Sequence, residues 1–363
     1  MHILTFQLNN FRNLARAELE PCPGVNVIFG ENGHGKTSLL EAIWLFTGCR
    51  SFRSADASEL VKEKEAQANL RTSFISNERE QQASLEIVKR RTLNLNGFPQ
   101  ETPRRMLGVF PAVAFTPDTL SLVKGGPGER RRFLDVALSM LTPAYAVRLS
   151  KYLKALAQRN ALLRQISLAP NPSSLIPQLD TWDASLAKEA SGILSARLRY
   201  LEELIPRAQD FYAGISGARE TLEIAPHITG VEDPSEQDYL AAFSRTRQND
   251  LRRQMTTVGP HRDDLALTLD GRPLRDFGSQ GQQRSAALAL KLAEAAALGQ
   301  IARETPAALL DDVLSELDAR RQADLLRYLE GWQVFLTCCE PSHALHGRAG
   351  KVFHVKNGEI AEG

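Results

Sequence analysis

The chain has 363 residues, of which 43% are hydrophobic and 24% charged, with a formal net charge of +1. That is enough chain for one large globular domain or two ordinary ones, and it excludes a protein that is basic in bulk, so any nucleic-acid surface must be a local patch. Cys22, Cys49, Cys338 and Cys339 show no C-x-x-C spacing, which excludes a disulfide-stapled scaffold and fits a reducing cytoplasm. Neither a run of about 18 apolar residues nor a basic leader with an apolar core is present, so no membrane span is expected.

In chain order, residues 3–8 and 15–20 read as strands, and residues 25–29 (Val-Asn-Val-Ile-Phe) as a buried strand. Gly30, Glu31, Asn32, Gly33, His34, Gly35, Lys36 and Thr37 then match G-x-x-x-x-G-K-[ST], the Walker A phosphate loop, and residues 37–46 read as an apolar helix. Strand, glycine-rich loop and helix together make a nucleotide site. Loop N–H groups and the positive helix end face phosphates, Lys36 reaches the β- and γ-phosphates, and the Thr37 hydroxyl sits on Mg²⁺. Residues 68–75, 84–89 and 92–95 read as strands, with Asn96-Gly97 as a tight turn. Residues 111–115 read as a strand ending at Thr116-Pro117-Asp118.

The glycine-rich stretch at 125–128 marks a hinge, beyond which the apolar period changes from about two to about 3.6. Helices are expected over 130–141, 143–167, 179–205 and 238–255, the second with a stripe of Tyr145, Leu149, Leu153, Leu156 and Leu163. An all-helical insertion of about 130 residues without sustained heptads reads as a compact lobe. The expected organisation is therefore an α/β head made of residues 1–124 and 257–363, with a helical lobe at 125–256. Past Gly259, residues 265–269, Asp270-Gly271 and 272–274 give a hairpin signal. Ser279-Gln280-Gly281-Gln282-Gln283 opens a long Ala/Leu helix to about residue 300, residues 307–310 form an apolar strand ending in Asp311-Asp312, and 322–329 and 333–337 read as helix and strand.

An apolar strand ending in acid is the Walker B half of a phosphate-loop ATPase. Asp311 is placed to hold Mg²⁺, and Asp312 to orient or deprotonate the attacking water. Ser279 and Gly281 at a helix start offer a hydroxyl and N–H groups as a second anion site, which in this arrangement grips the γ-phosphate bound to another copy of the chain. His343 and His346 have helical spacing with no carboxylate or cysteine cluster around them, and read as a surface pair.

The order of P-loop, Ser279 loop, Asp311-Asp312 strand and Ser315-Glu316-Leu317-Asp318 resembles ABC-type ATPase heads of the structural-maintenance-of-chromosomes class. Asn10-Phe11-Arg12-Asn13, the segment 128–135 (Gly-Glu-Arg-Arg-Arg-Phe-Leu-Asp) and Gly259-Pro260-His261-Arg262-Asp263-Asp264-Leu265 narrow the resemblance to the RecF family of bacterial recombination mediators. The resemblance implies an ABC-type P-loop head with a helical lobe inserted between the P-loop half and the signature and Walker B half. It also implies a homodimer formed on ATP at single-strand gaps or duplex/single-strand junctions in DNA, work with RecR and RecO to load RecA, and a part in the SOS response. Carried over by position, Arg12 and Asn13 lie near the nucleotide. Ser279, Gln280, Gly281 and Gln282 act on ATP in trans, and Asp318 lies on the loop that crosses the dimer interface. Three positions depart from transporter cassettes. Gln280 stands where glycine is usual, Asp312 where glutamate is common, and Thr337 where a switch histidine is found, so a weak, DNA-stimulated ATPase acting as a switch is expected. Asp118 falls where transporters place a glutamine sensor. A transporter ATPase subunit and a nucleotide-regulated nuclease are the rival readings. Basic clusters at Lys89-Arg90-Arg91, Arg104-Arg105, Arg130-Arg131-Arg132 and Arg252-Arg253 are either solvated faces or candidate phosphate contacts, with too few aromatics among them for base stacking. Packing at the lobe hinge is the alternative for Arg130-Arg131-Arg132, because Phe133 and Leu134 continue into a helix.

Overall fold

Alternating apolar residues build the first strand. Ile3, Phe6, Leu8 and Phe11 are all buried, and the step from 3 to 6 is absorbed by a bulge between Ile3 and Thr5. The computed structural model describes residues 1–53, 56–339 and 349–362. The described chain divides into two compact units, Met1–Thr119 with Leu288–Gly363, and Leu120–Ala287.

The first unit opens with β1 (His2–Phe11), β2 (Leu14–Leu19) and β3 (Val25–Phe29), followed by helix α1 (Lys36–Trp44). Then come β4 (Ala68–Ser76), β5 (Arg79–Ile87), β6 (Arg91–Leu95), β7 (Phe98–Gln100) and β8 (Ala112–Phe115). The second unit holds α2 (Ser121–Lys124), α3 (Pro127–Leu141), α4 (Pro143–Leu168), α5 (Gln178–Ser216), β9 (Leu222–His227), α6 (Glu236–Arg253), β10 (Asp264–Leu269), β11 (Arg272–Pro273) and α7 (Leu274–Phe277). Helix α8 (Gln280–Ala302) begins in the second unit and ends in the first. It is followed by β12 (Ala307–Asp311), α9 (Ala319–Tyr328), β13 (Val334–Cys338), β14 (Ala349–Lys356) and β15 (Glu359–Glu362).

One 12-stranded sheet organises the first unit, in the order β7-β6-β5-β4-β1-β2-β15-β14-β3-β13-β12-β8. The β7-to-β2 half is antiparallel. From β14 to β8 the strands run parallel. In such a sheet, ligands bind beyond the carboxyl ends of the parallel strands. The strand that carries the phosphate loop (β3) and the strand that ends in Asp311 (β12) are not neighbours, because β13 pairs with both. In α8, 72% of its most apolar 18-residue stretch is buried, so its Ala/Leu composition, which by length and hydropathy alone would suit a membrane, is accounted for as core.

The inserted segment is not all-helical as its composition suggested. Residues 222–227 form β9, which pairs antiparallel along its length with β10, and β10 pairs in turn with β11 across the Asp270-Gly271 turn. Leu222, Ile224, Leu265, Leu267 and Leu269 fill the buried face of this three-stranded sheet. That pairing draws residues 257–287 into the second unit, where the sequence placed them in the head. Helix α5 runs through Pro206 to Ser216, well beyond the expected residue 205, because Ala208, Tyr212 and Ile215 continue its buried face.

The stripe on α4 is also different from the one the leucines suggest. Leu153 is 50% exposed, while Tyr152, Ala155, Arg159, Leu162, Leu163 and Ile166 are buried. At the centre of that stripe Arg159, 0% exposed, meets Asp183 at 2.6 Å, Asp250 at 2.7 Å and Thr256 Oγ1 at 2.9 Å, with its guanidinium 5.2 Å from the Phe243 ring centroid. One cation thus ties α4, α5 and α6 together. Removing one member of such a buried set leaves the others uncompensated, so Arg159→Ala should cost about 3–5 kcal/mol. Urea unfolding measures it, and an unchanged midpoint would show that apolar packing alone holds the three helices.

A candidate nucleotide site at the strand ends

The loop after β3 is shaped by its glycines. Gly30 has φ 150°, and a Cβ there would lie 2.2 Å from the Val355 carbonyl oxygen of β14. Gly35 has φ 116°, and a Cβ would lie 2.4 Å from Leu14 Cδ2. Neither position admits another side chain without moving a neighbour. The resulting curl wraps Lys36, whose Nζ donates to the carbonyls of Gly30 at 2.5 Å and Glu31 at 3.0 Å and lies 3.4 Å from Asn32 Oδ1. His34 faces Glu31 at 3.5 Å. Gly35 starts α1, no side chain caps it and its first turn carries no acid, so its N–H groups and dipole are left to an anion.

Strand β12 brings Asp311 to the same point. Thr37 Oγ1 donates to Asp311 Oδ1 at 2.8 Å. Thr337, at the end of the intervening β13, donates to the same oxygen at 2.9 Å and accepts from the backbone N–H of Asp312, also at 2.9 Å. The Thr337 hydroxyl is therefore a joint between the two acids, a role the sequence left unassigned. Burial pushes the Asp311 carboxyl above its usual range, against the hydrogen bonds from Thr37 and Thr337. Asp312 sits in a left-handed conformation (φ 52°), and its carbonyl accepts from Ser315 Oγ at 2.7 Å. These groups line a cleft of about 670 Å³ that also includes Asn13, Asn32 and Gly33.

The turn between β1 and β2 supplies a supporting layer. Asn13 Nδ2 donates to the Gly33 carbonyl at 2.7 Å and its Oδ1 accepts from Ser38 Oγ at 2.9 Å, pinning the loop from outside. Arg12 makes a two-pronged pair with Glu41, at 3.0 and 2.8 Å. Glu41 is 0% exposed, accepts also from Ser51, and has Arg53 3.6 Å away. Glu41, Arg53 and Ser38 were not singled out from the sequence. The signal was present, since a glutamate inside the apolar run Leu39-Leu40-Glu41-Ala42-Ile43 requires a buried partner.

The signature residues lie in the second unit. Ser279 and Gln280 are exposed and Gly281 and Gln282 half-buried at the start of α8. Ser279 Oγ accepts from the Gln282 N–H at 3.3 Å, while Gln282 Oε1 accepts from the Ser279 N–H at 2.6 Å, a reciprocal capping box. Asp318 caps α9, accepting from the Arg321 N–H at 3.0 Å, which holds its carboxyl below the usual range. Asp118 is exposed and does not line the cleft. His343 and His346 lie outside the described residues.

Of the basic clusters, one is committed to the fold. Arg130 is 7% exposed, pairs with both oxygens of Asp264 at 2.7 and 2.9 Å, and donates to the Leu122 and Gly125 carbonyls. Arg131 donates to the Asp263 carbonyl at 2.8 Å. The motif at 259–265 is the receptor for these arginines. Arg197 donates to the Pro260 carbonyl, and Tyr152 bonds His261, whose imidazole burial lowers to about 4. Lys89, Arg90, Arg104, Arg105, Arg252 and Arg253 remain exposed, whereas Arg91 donates to the Cys49 carbonyl.

Comparison with known proteins identifies the family. The family described as the RecF/RecN/SMC N-terminal domain matches residues 2–360. The DNA replication and repair protein RecF of Agathobacter rectalis is 37% identical over 364 residues, and that of Heliobacterium modesticaldum 39% identical over 376, each alignment covering 99% of both chains. Structures of the recombination mediator protein RecF-ATPrS and RecF-ATP in the RecFOR pathway superpose with a TM-score of 0.91 at 34% identity, covering 99% of this chain and 98% and 97% of theirs. The Smc head domain of Pyrococcus furiosus, at 17% identity and TM-score 0.56, shares the fold. With relatives matched from end to end over a cleft built on Lys36, Thr37 and Asp311, the chain belongs to the RecF family of DNA replication and repair proteins.

Proposed function

We propose that this chain is an ATP-dependent DNA-binding switch of recombinational repair, acting in the cytoplasm. The observation that carries the proposal is the 2.8 Å contact between Thr37 Oγ1 and Asp311 Oδ1, which puts a Walker A hydroxyl and a Walker B carboxylate on one point. A hydroxyl and a carboxylate are the hard oxygen donors that suit Mg²⁺, so Thr37 and Asp311 would hold it. Bound there, the ion would neutralise charge on the β- and γ-phosphate oxygens. Lys36 and the N–H groups of residues 30–37 bind the phosphates, Arg12 and Asn13 keep the loop in shape, and Asp312 orients and deprotonates the attacking water. Asp312 is one methylene shorter than glutamate, which favours slow, DNA-stimulated turnover and a long-lived bound state.

Two copies close on two ATP molecules, each nucleotide lying between Lys36 of one chain and Ser279, Gly281 and Asp318 of the other. The closed dimer holds gapped or junction DNA and presents a surface to RecR, with RecO and RecA downstream and SOS induction as the cellular outcome. ATP shifts the equilibrium by its extra affinity for the closed state. Sedimentation with Mg²⁺ tests it: a dimer is expected with ATP, and monomers with ADP or for Lys36→Arg. ATP-independent dimers would overturn the switch. DNA contact rests on the exposed lysines and arginines, doubled in a dimer. Affinity for a gapped duplex should therefore fall by roughly 10³ between 50 and 200 mM salt, with little sequence preference. A flat salt profile would sink the backbone-contact model.

A further inference from the structure

Gln282 is held at both ends of its amide. Its Oε1 accepts from the Ser279 N–H, and its Nε2 donates to Glu220 Oε1 at 2.6 Å. The other carboxylate oxygen of Glu220 accepts from the Tyr212 hydroxyl at 2.8 Å, and Tyr212 is 1% exposed on α5. A continuous chain of bonds thus runs from the end of the 39-residue α5 through Glu220 and Gln282 to Ser279. The backbone is bent to make this possible. Gly217 and Ala218 both take positive φ, 75° and 54°, and the Ala218 N–H returns to the Ala213 carbonyl at 2.8 Å. Thr221 then exchanges bonds with Asp270, its N–H donating to Asp270 Oδ1 at 2.8 Å and its carbonyl accepting from the Asp270 N–H at 3.0 Å. The turn that carries Glu220 is therefore fastened to the hairpin that leads into the signature loop.

The consequence for Ser279 is chemical. Its Oγ already accepts the Gln282 N–H and the residue is exposed, so the hydroxyl proton is left to donate to a ligand. With its amide oriented by a charge-assisted bond to Glu220, Gln282 cannot flip and turn its Nε2 toward the Ser279 N–H, which would set donor against donor and break the capping box. On the other side, Gln283 Nε2 bonds the Leu274 and Arg275 carbonyls, so the first turn of α8 is pinned from two directions. We infer that Glu220 is a positioning residue for the signature loop, through which α5 sets the direction in which Ser279 donates to the γ-phosphate of a second copy. The inference rests on the shared-site reading above.

The test compares ATP-dependent dimerisation of Glu220→Ala, Glu220→Gln and Ser279→Arg by sedimentation. Binding of a fluorescent ATP analogue is measured alongside, at a protein concentration below the dimer threshold. Loss of a hydrogen bond to a charged group predicts that Glu220→Ala needs about tenfold or more extra ATP to dimerise, with analogue binding unchanged. Glu220→Gln, which keeps an acceptor for Gln282 Nε2, should restore most of it. If Glu220→Ala dimerises at the wild-type ATP concentration while Ser279→Arg stays monomeric, the positioning role is wrong and the shared site stands. A lowered urea midpoint with an unchanged ATP threshold overturns it likewise, because a residue that only holds the fold behaves so. If Ser279→Arg itself dimerises normally, the shared site fails and the inference with it. Should Glu220→Ala not fold, Tyr212→Phe, which removes the bond from α5 to Glu220 and leaves Gln282 and Ser279 unchanged, decides: a raised threshold supports the inference, and a wild-type threshold overturns it.

Discussion

Asp312→Asn is expected to lower ATP turnover by about 10²- to 10⁴-fold, the range lost when a positioned general base is removed, and to yield a dimer that outlasts the wild-type one. The substitution is a clean probe because its structural cost is small. Asp312 occupies a left-handed conformation that asparagine tolerates as readily as aspartate. Its fixed contacts are made by the backbone, the N–H to Thr337 Oγ1 and the carbonyl to Ser315 Oγ, and both survive. Asp311, the acid bonded to Thr37, is untouched. Binding and hydrolysis should therefore separate, with phosphate release lost and the ATP-bound dimer accumulating in sedimentation. Turnover at the wild-type rate would remove Asp312 from the mechanism.

Ser279→Arg should bind ATP as the wild type does and fail to dimerise, weakening association by at least about a hundredfold. Arginine cannot cap α8, which costs about 1 kcal/mol locally, but Lys36, Thr37 and Asp311 belong to the other unit and keep their own contacts. The loss falls on the surface offered to a second copy, where an exposed hydroxyl is replaced by a long cation. Equilibrium binding of a fluorescent ATP analogue and sedimentation in ATP read the two properties independently. A dimer of normal strength would make the site complete within one chain.

The parts of the site that were legible in the sequence are those whose chemistry is written in consecutive residues. Gly30 to Thr37 carries the spacing of a phosphate loop, and the apolar run before Asp311 announces a buried strand ending in acid. What stayed hidden depends on residues far apart in the chain. Thr37 and Asp311, 274 positions apart, are still paired by their motifs through a shared Mg²⁺, but Thr337 reaches Asp311 across a strand boundary that no local pattern marks. Arg159 was passed over because a charged residue looks like the polar face of a helix until Asp183 and Asp250, from two other helices, are brought to it. Strand β9 was missed for a similar reason, since its short alternation becomes a strand only through pairing with β10. For the arginines at 130–132 two readings stood open, a phosphate contact and packing at the hinge, and the contacts follow the second: Asp264 claims Arg130 and the Asp263 carbonyl claims Arg131.

The position of β3 in the sheet bears on how the protein is made. The strand that delivers the phosphate loop is flanked by β13 on one side and β14 on the other, and Gly30 fits against the carbonyl of Val355. Residues 25–37 leave the ribosome early, but the strands that flank β3 in the sheet, residues 334–338 and 349–356, are synthesised some 300 positions later. Pairings of that separation close slowly and late. Until they do, β3 has two open edges, a nascent chain has no rigid phosphate cradle, and a product truncated before β13 exposes an apolar strand for chaperones and proteases to recognise. The phosphate cradle is thus completed only when the last strands pair, so a half-made chain lacks the frame that shapes it.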